Sequence, residues 1–378
     1  MSDARGDRAN VAIVGAGPAG SALAVRLGAL GVPGVVLFDR HDFPRDKTCG
    51  SGVSPKGIGV LKELGVWEDV LPHSYFIRGV RLVTPGDQEA FVSAGDAATA
   101  VVCRRRELDA VLLDHARRAG VTFVPNVQAR SLLWDGDRVD GFKAADGREF
   151  RARITVVADG AHSRLTPDPR PRRLLQAIMG WWEGLRFTPS HLEMIFDRSL
   201  SPHYGWLFPE SESRVNIGIC YDPAHVGTDN ARTLFERFLE KHYGSRLAGA
   251  TPVGRFAGHP ISYTYRVGPL ASPGRLVIGE AGRMTHPATG EGIYQGMRSA
   301  LLAAPALVDA LANPEREDAA FRRYERACRR AFEPSFVFAL AWHRVVRSPL
   351  LDWILRANRR VQGSAAIRRA VGTLIAKM

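Results

Sequence analysis

The apolar and polar positions near the start of the chain predict a strand, a turn and a helix in immediate succession. Residues 10–14 form a short β-branched apolar run, and residues 21–27 have the apolar content of a buried helix, with a glycine-rich stretch between them. A second apolar run, residues 34–38, follows at the distance expected for the next strand. This order is typical of the first unit of a parallel α/β sheet.

A different pattern occupies the middle of the chain. Residues 202–209 and 214–220 alternate strictly between the two faces of a strand, which predicts a β-hairpin. Because side chains two positions apart share a face, Tyr204, Trp206 and Phe208 form one aromatic row. Periodicity alone leaves two interpretations open: the row packs a structural layer, or it faces a hydrophobic ligand.

Beyond about residue 314 the pattern is helical. Ile367, Val371 and Leu374 recur at helical spacing, while Arg368 and Arg369 fall elsewhere on the helical wheel. Two interpretations are again open. The segment docks on the body of the protein, or it lies in a membrane interface with its arginines on anionic lipid.

The composition excludes several classes of protein. The 378 residues are 45% hydrophobic and 24% charged, as in a globular chain. No apolar run approaches the roughly 18 residues of a membrane span, and the polar residues 1–8 do not resemble a secretory signal. We therefore expect a cytoplasmic protein. The cysteines are far apart and form no CxxC pair, so we expect free thiols and no metal site; they are Cys49, Cys103, Cys220 and Cys328.

The positive charge is concentrated at the end of the chain. Lys and Arg number 51 against 39 Asp and Glu, a net charge of +12. Residues 335–378 hold seven Arg and Lys377 against the single Asp352, so this segment carries +7 of that excess. The positive electrostatic potential of this segment favours contact with an anionic surface. No nucleic-acid-binding motif accompanies it, so we expect no nucleic-acid partner and consider contact with the inner face of a membrane instead.

The glycine-rich stretch has the residues of a dinucleotide site. Gly15 permits a tight turn, Gly17 allows the backbone to approach a pyrophosphate, and Gly20 lets the helix pack closely on the strand. Pro18 suits the first turn of a helix. Asp39 ends the second strand 19 residues beyond Gly20, which places it to bind an adenosine ribose.

Four further segments resemble the geranylgeranyl reductase family of FAD enzymes. Residues 43–52 (FPRDKTCGSG) are similar to that family's loop after the ribose-binding strand, and Arg105 opens its R-x-x-[FL]-D element. Residues 156–163 resemble the strand-plus-DG signature of the wider hydroxylase-like flavoproteins. Residues 276–293 resemble the second FAD motif, G-D-A-A-G…P…G-E-G-I, with Glu280 where the family has Asp.

This resemblance implies that FAD is the cofactor. The residues expected to bind it are Gly15, Gly17, Pro18, Ala19, Gly20, Asp39, Arg40, Arg45, Cys49, Gly50, Arg105, Asp159, Gly279, Glu280, Gly290, Gly292 and Ile293. With one GxGxxG present, the electron donor stays open between NAD(P)H, ferredoxin and reduced flavin.

The aromatic row also carries a family signature. Its Y-x-W-x-F-P sequence resembles the substrate-domain motif of the geranylgeranyl reductases and, more faintly, the W-x-W-x-I-P of flavin-dependent halogenases. The resemblance implies that Cys49, Tyr204, Trp206 and Phe208 act at the catalytic centre. Cys49 is either a proton donor or a positioning group, although a lone cysteine is more often a small buried hydrophobe.

The implied function is reduction of carbon–carbon double bonds in a hydrophobic, isoprenoid or lipid-like substrate. A flavin-dependent monooxygenase or halogenase, and an FAD-bound natural-product cyclase, are the alternatives. The implied fold is α/β: a discontinuous Rossmann-like FAD domain, an inserted antiparallel-sheet substrate domain and a C-terminal helical segment. We expect the FAD domain at 1–75, 97–165 and 268–313, the substrate domain at 76–96 and 166–267, and the helical region at 314–378.

Overall fold

A computed structural model describes residues 8–359 of the chain, except 94–99, 167, 169, 171 and 226–229. The strands are β1 (Ala9–Val14), β2 (Val35–Phe38), β3 (Gly52–Val53), β4 (Ser74–Ile77), β5 (Gly79–Val83), β6 (Glu89–Ser93), β7 (Ala100–Cys103), β8 (Thr122–Val124), β9 (Ala129–Asp135), β10 (Arg138–Ala144), β11 (Glu149–Val157), β12 (Arg173–Glu183), β13 (His191–Ile195), β14 (Gly205–Pro209), β15 (Arg214–Tyr221), β16 (Thr251–Tyr263), β17 (Ala271–Ser272) and β18 (Arg275–Val277). The α-helices are α1 (Pro18–Ala29), α2 (Pro55–Glu63), α3 (Trp67–Val70), α4 (Arg105–Arg118), α5 (Ala231–Leu247), α6 (Ile293–Ala312), α7 (Glu317–Arg347) and α8 (Leu350–Arg359).

The first sheet has parallel strands at its centre. Its order is β17-β18-β11-β1-β2-β8, and the β9–β10 hairpin extends it from β11. Strand β1 pairs in parallel with both β11 and β2. Four consecutive residues of β1, Val11 to Val14, are buried, as expected for a parallel strand covered on both faces. Helix α1 packs against α4 and α6. The predicted strand, turn and helix at the start of the chain are confirmed.

The second sheet has the order β16-β12-β15-β14-β13-β5-β6 and is antiparallel except where β13 pairs with β5. The predicted hairpin is its β14–β15 pair, with Gly205 opposite Ile219. Helix α5 covers one face, where Phe235 and Phe238 pack with Trp182 and Ile217. The opposite face, which carries the aromatic row, is left for a cavity and for α7.

The described residues from 317 to 347 and from 350 to 359 are helical, as predicted. Helix α7 packs on α6, and its Trp342 and Val346 share a core with Leu82 of β5. Asp352 of α8 accepts hydrogen bonds from the Gly86 backbone N–H at 2.9 Å and from the Thr84 hydroxyl. Within the part of the chain that the structure describes, no helix has the length and apolar character needed to cross a membrane.

These elements confirm the predicted fold class. Strands β5 and β6 lie in the same sheet as β12 to β16, and a small sheet of β3, β7 and β4 lies beside them. The division into three parts at the stated boundaries stays a prediction, and β4, residues 74–77, crosses one of them. The expected helical positions Ile367, Val371 and Leu374 lie outside the described residues.

Candidate active site

A cavity of about 1100 Å³ is lined by residues of both large sheets. It is larger than most small-molecule sites, which occupy about 300–1,000 Å³. Gly17 of the first glycine turn and Gly292 of the second both line it, together with all three side chains of the aromatic row. Two segments that are almost the whole chain apart therefore meet at one site, as the sequence predicts.

The first glycine turn leaves its cavity side open. Gly15 has a φ of 106°, and a Cβ atom there would lie 2.5 Å from the Ala158 carbonyl oxygen, so only glycine fits. A Cβ on Gly17 would meet only the Arg105 side chain, at 3.7 Å. Gly20 does not line the cavity; a Cβ there would overlap the Gly15 carbonyl oxygen. The N-terminus of α1 thus faces the cavity, an arrangement suited to a pyrophosphate.

Asp39 is held rigidly at the end of β2. Its Oδ2 accepts a hydrogen bond from the Ala16 backbone N–H at 2.8 Å, and its Oδ1 accepts one from His41 N–H at 2.9 Å. The remaining acceptor positions of the carboxylate are available to a ribose. Further residues that line this end of the cavity are Arg40, His41, Val127, Gln128, Ala129, Arg130 and Ala145.

A buried ion pair stands beside the first turn. Arg105 donates from Nε and Nη2 to the two carboxylate oxygens of Asp109, at 2.7 and 2.6 Å. Burial opposes the charge of Arg105, but the charge and hydrogen bonds of Asp109 outweigh it and raise the pKa of Arg105 above its ordinary value. Arg45 Nη1 lies 3.2 Å from Asp109 Oδ2. Two guanidinium groups are thereby fixed in the cavity wall.

The second glycine block joins α6 to α1. Gly279 has a φ of 61°, its N–H donates to the Ser299 hydroxyl at 2.9 Å, and a Cβ there would lie 2.9 Å from that of Ala19. Gly279 therefore packs the two helices together and does not line the cavity, unlike Ala19. The residues of the block that do line it are Glu280, Thr285, Thr289, Gly290, Glu291, Gly292 and Ile293, and Pro18 of α1 lines it too.

Two acidic side chains of the site are buried and form few hydrogen bonds. Glu280 Oε1 accepts a hydrogen bond from the Ser262 backbone N–H at 3.0 Å, so its extra methylene, relative to the Asp of the resembling family, lets it reach β16. Burial raises the pKa of Glu280. Burial also raises the pKa of Asp159 to about 6, and its Oδ1 has no hydrogen-bond partner among the described residues.

The aromatic row is continuous. The ring centroids of Tyr204 and Trp206 are 6.3 Å apart, and those of Trp206 and Phe208 are 6.0 Å apart. Trp206 Nε1 donates to Asn216 Oδ1 at 2.7 Å. The indole ring lies against Gly218, where any Cβ would overlap it. The row therefore stands on β14 and β15 as a fixed wall of the cavity.

Cys49 lies close to the far end of this wall. It is half-buried and lines the cavity, and its Sγ accepts a hydrogen bond from the Ser51 backbone N–H at 3.3 Å. A Cβ on the adjacent Gly50 would lie 3.2 Å from the Phe208 ring. The Cys49 loop and the aromatic row, which the sequence singles out separately, are neighbours. Their catalytic roles stay predictions.

Sequence reasoning missed a pair of basic side chains in the same cavity. Lys47 Nζ lies 2.9 Å from His259 Nε2. Burial, followed by the charge of Arg105, lowers the pKa of Lys47 to about 8. Burial and then the charge of Lys47 lower the pKa of His259 to about 3. Lys47 stands in the loop beside Cys49, but nothing in the sequence of β16 marks His259 as its partner.

The apolar part of the wall was also missed, because its residues belong to ordinary strands without a motif. It is contributed by β4 to β7 and β13, and its members are Ile77, Val80, Val92, Val101, Leu192 and Met194. Met179 and Cys220 continue it toward the aromatic row. One region of the cavity is thus apolar, while the region at the glycine turns is rich in charge.

The residues present fit FAD. The open side of Gly17 leaves room for a pyrophosphate, and the carboxylate of Asp39 suits a ribose. Several buried polar atoms that line the cavity have no hydrogen-bond partner among the described residues, including Arg45 Nε, Asp159 Oδ1 and Thr285 Oγ1. Buried polar groups in folded proteins almost always have partners, so these atoms are explained by a large polar ligand.

Comparison with known proteins identifies the family of this chain. A model of the FAD binding domain matches residues 8–170. The chain is 31% identical over 319 residues to the menaquinone reductase of Mycolicibacterium smegmatis, covering 79% of this chain and 76% of that protein. It is 28% identical over 348 residues to digeranylgeranylglycerophospholipid reductase 2 of Methanopyrus kandleri, covering 88% and 85%.

A solved structure shares the whole fold. A geranylgeranyl bacteriochlorophyll reductase-like protein from Thermoplasma acidophilum superimposes with a TM-score of 0.82 at 21% identity, covering 90% of this chain and 88% of that one. Flavin-dependent halogenases share the fold too, so the fold by itself does not choose between chemistries.

Fold and site together define an FAD-dependent oxidoreductase with a discontinuous nucleotide-binding unit. Within that class, the chain belongs to the geranylgeranyl reductase family.

Proposed function

We propose that this protein reduces carbon–carbon double bonds in a hydrophobic substrate with an isoprenoid chain. The observation that carries the proposal is one cavity in which the FAD-type glycine turns, the aromatic row and an apolar wall are continuous. The two curated relatives are named for a menaquinone and for a digeranylgeranyl lipid. Both molecules carry a polyprenyl chain, which matches the apolar region of the cavity.

The glycine turns and their neighbours would hold the cofactor. Gly17 and the N-terminus of α1 would bind the pyrophosphate beside Arg105, and Asp39 would bind the adenosine ribose. Glu280 and Gly292 would face the flavin half. When bound and reduced, FAD supplies a hydride equivalent.

The aromatic row would hold the substrate and keep the site dry. Trp206 is fixed by Asn216, and Tyr204 by the Thr289 carbonyl oxygen, so the wall does not need to reorganise when an apolar chain enters. Rigid positioning of this kind accounts for a large part of enzymatic rate enhancement. Cys49, at the Phe208 end of the wall, would position the reacting group.

The C-terminal helices would bring the cavity to a membrane surface. Leu350 and Trp353, 43% and 66% exposed, lie on the helix whose Asp352 is anchored to the turn between β5 and β6. Exposed arginines accompany them; these are Arg344, Arg347 and Arg356. Apolar side chains flanked by cations suit an anionic bilayer. Trp353→Glu should abolish cosedimentation with vesicles of anionic phospholipid, and equal sedimentation of the variant would contradict this contact.

The requirement for oxygen tests the proposed function. The protein is loaded with FAD, reduced with dithionite and offered a digeranylgeranyl phospholipid, with and without O₂. We expect loss of substrate double bonds without O₂. Activity that appears only with O₂ would indicate the monooxygenase or halogenase alternative, and activity with oxidised flavin and no reductant would indicate a cyclase. Dithionite makes the result independent of whether the natural donor is NAD(P)H, ferredoxin or reduced flavin.

A further inference from the structure

The second glycine turn contains an acidic residue that has no role in the proposed function described above. Glu291 lies between Gly290 and Gly292 and lines the cavity. Gln295 Nε2 donates a hydrogen bond to Glu291 Oε2 at 3.4 Å. Glu291 Oε1 is buried and has no hydrogen-bond partner among the described residues. One oxygen of this carboxyl is therefore free for a ligand.

Glu291 lies at the opposite end of the aromatic row from Cys49. The Tyr204 hydroxyl donates to the carbonyl oxygen of Thr289, two residues before Glu291, at 2.5 Å. Burial, the neighbouring Cys220 and then the charge of Glu291 all raise the pKa of Tyr204. The carboxyl is thus within electrostatic reach of the wall that would hold the substrate.

The surroundings of Glu291 favour its protonated form. Burial raises its pKa, and hydrogen bonds from Ser54 and Gln295 and the charge of Lys56 do not outweigh that effect. A carboxyl whose pKa is raised by burial is a typical general acid.

Three other side chains near this wall already form hydrogen bonds. His286 Nδ1 accepts hydrogen bonds from the backbone N–H groups of Ala288 and Thr289, both at 3.3 Å, and His286 does not line the cavity. Glu280 Oε1 is held by Ser262. Cys49 Sγ acts as an acceptor toward Ser51.

We propose that Glu291 is the catalytic acid that protonates the substrate, an inference that rests on the proposed reduction. The hydride equivalent forms one new C–H bond. The π electrons of the double bond take the Glu291 proton and form the other. The substrate gains two electrons and two hydrogens, the reduced flavin loses two electrons, and the carboxylate left behind is reprotonated by water.

Infrared spectroscopy of the FAD-loaded protein tests the protonation state without any substrate. We expect a protonated-carboxyl band that persists to higher pH than that of an exposed glutamate, is shifted by transfer to ²H₂O, is absent in Glu291→Gln and is present in Glu280→Gln. If no band is lost in Glu291→Gln, the residue is ionised and the proposal is overturned.

Single turnover then tests the role. Dithionite-reduced protein is mixed anaerobically with a digeranylgeranyl phospholipid, and flavin reoxidation is followed. In Glu291→Gln we expect a rate at least about 10²-fold lower, as for loss of a general acid, with FAD affinity unchanged. The wild-type rate should fall as pH rises through the pKa of Glu291, and the variant should lose that fall.

Cys49→Ser is the competing variant. It should keep both the pH dependence and the solvent deuterium isotope effect, whereas Glu291→Gln should lose them. If Cys49→Ser loses them and Glu291→Gln keeps them, Cys49 is the acid and Glu291 is not. If the wild type leaves the lipid unreduced, the proposed function has failed, and the role of Glu291 is overturned with it. A wild type that reduces the lipid while Glu291→Gln is equally fast overturns the inference alone.

Discussion

Tyr204 donates its phenolic hydrogen bond to the backbone carbonyl oxygen of Thr289 at 2.5 Å. Tyr204 precedes β14 of the antiparallel sheet, and Thr289 precedes α6 of the nucleotide-binding unit. The bond therefore fastens the aromatic row to the loop that carries the second glycine turn, directly at the wall of the cavity. The relative position of the two walls is set by a contact between residues 85 positions apart.

Removing the Tyr204 hydroxyl should destabilise the contact between the aromatic row and the loop that carries the second glycine turn. Tyr204→Phe leaves the Thr289 carbonyl without its donor, so we expect the free energy of unfolding to fall by about 1 kcal/mol in urea titrations. Tyr221→Phe is the matched control, since Tyr221 packs in the core on the opposite face of the same sheet. Equal stability of the two variants would show that the bond contributes nothing.

Substitutions of two glycines in the first turn should affect FAD binding and protein stability separately. A Cβ on Gly17 meets only the Arg105 side chain, so the free energy of unfolding of Gly17→Ala should lie within about 0.5 kcal/mol of the wild-type value. Gly17→Ala should nevertheless bind FAD at least about tenfold more weakly, because the methyl group blocks the pyrophosphate. A Cβ on Gly20 overlaps a backbone carbonyl, so Gly20→Ala should lose about 1–3 kcal/mol of stability. FAD titration and urea unfolding measure the two effects. Wild-type FAD affinity in Gly17→Ala would contradict the assigned turn.

The local motifs were predictable because each follows from neighbouring residues. Gly15 needs its positive φ for the turn, and the alternation around Trp206 places the aromatic row on one face. The contacts between these motifs were not predictable from the sequence. His259, which meets Lys47, lies 212 residues from it, on a strand of the other large sheet. Glu291 stands in a motif that the sequence analysis identifies, but its burial depends on how the two sheets meet.

Acid should destabilise the fold through two buried histidines. Burial, and then the charge of Lys56, lowers the pKa of His286 to about 4. Burial and Arg347 lower that of His343 to about 4. Because the unfolded chain binds these protons below about pH 6.5 and the folded chain does not, the contribution of these two histidines to the free energy of unfolding should fall as pH falls from 6.5 toward 4.

The variant His286→Asn tests the origin of that effect. Its amide oxygen replaces the Nδ1 acceptor for the Ala288 and Thr289 N–H groups but does not titrate. Urea midpoints between pH 7 and 5 should therefore change less steeply with pH than in the wild type. A slope identical to the wild type would assign the acid sensitivity to other groups.

The aromatic row should act on the substrate rather than on the cofactor. Trp206→Phe removes the indole N–H that donates to Asn216 and reduces the aromatic surface of the wall. We therefore expect a several-fold higher KM for long-chain substrates with little change in FAD affinity. Trp182→Phe, on the face packed by α5, is the matched control and should lower stability without changing KM. If both variants alter FAD binding equally, Trp206 belongs to the structural core.

The most direct test of the central claim is the mass of the product after an anaerobic single turnover. Protein loaded with FAD and reduced with dithionite is mixed with a digeranylgeranyl phospholipid, and the extracted lipid is measured by mass spectrometry. The account predicts a gain of two hydrogens for every double bond reduced, with one equivalent of flavin oxidised per bond. A lipid of unchanged mass, or one that gains oxygen or halogen only when air is admitted, would contradict it.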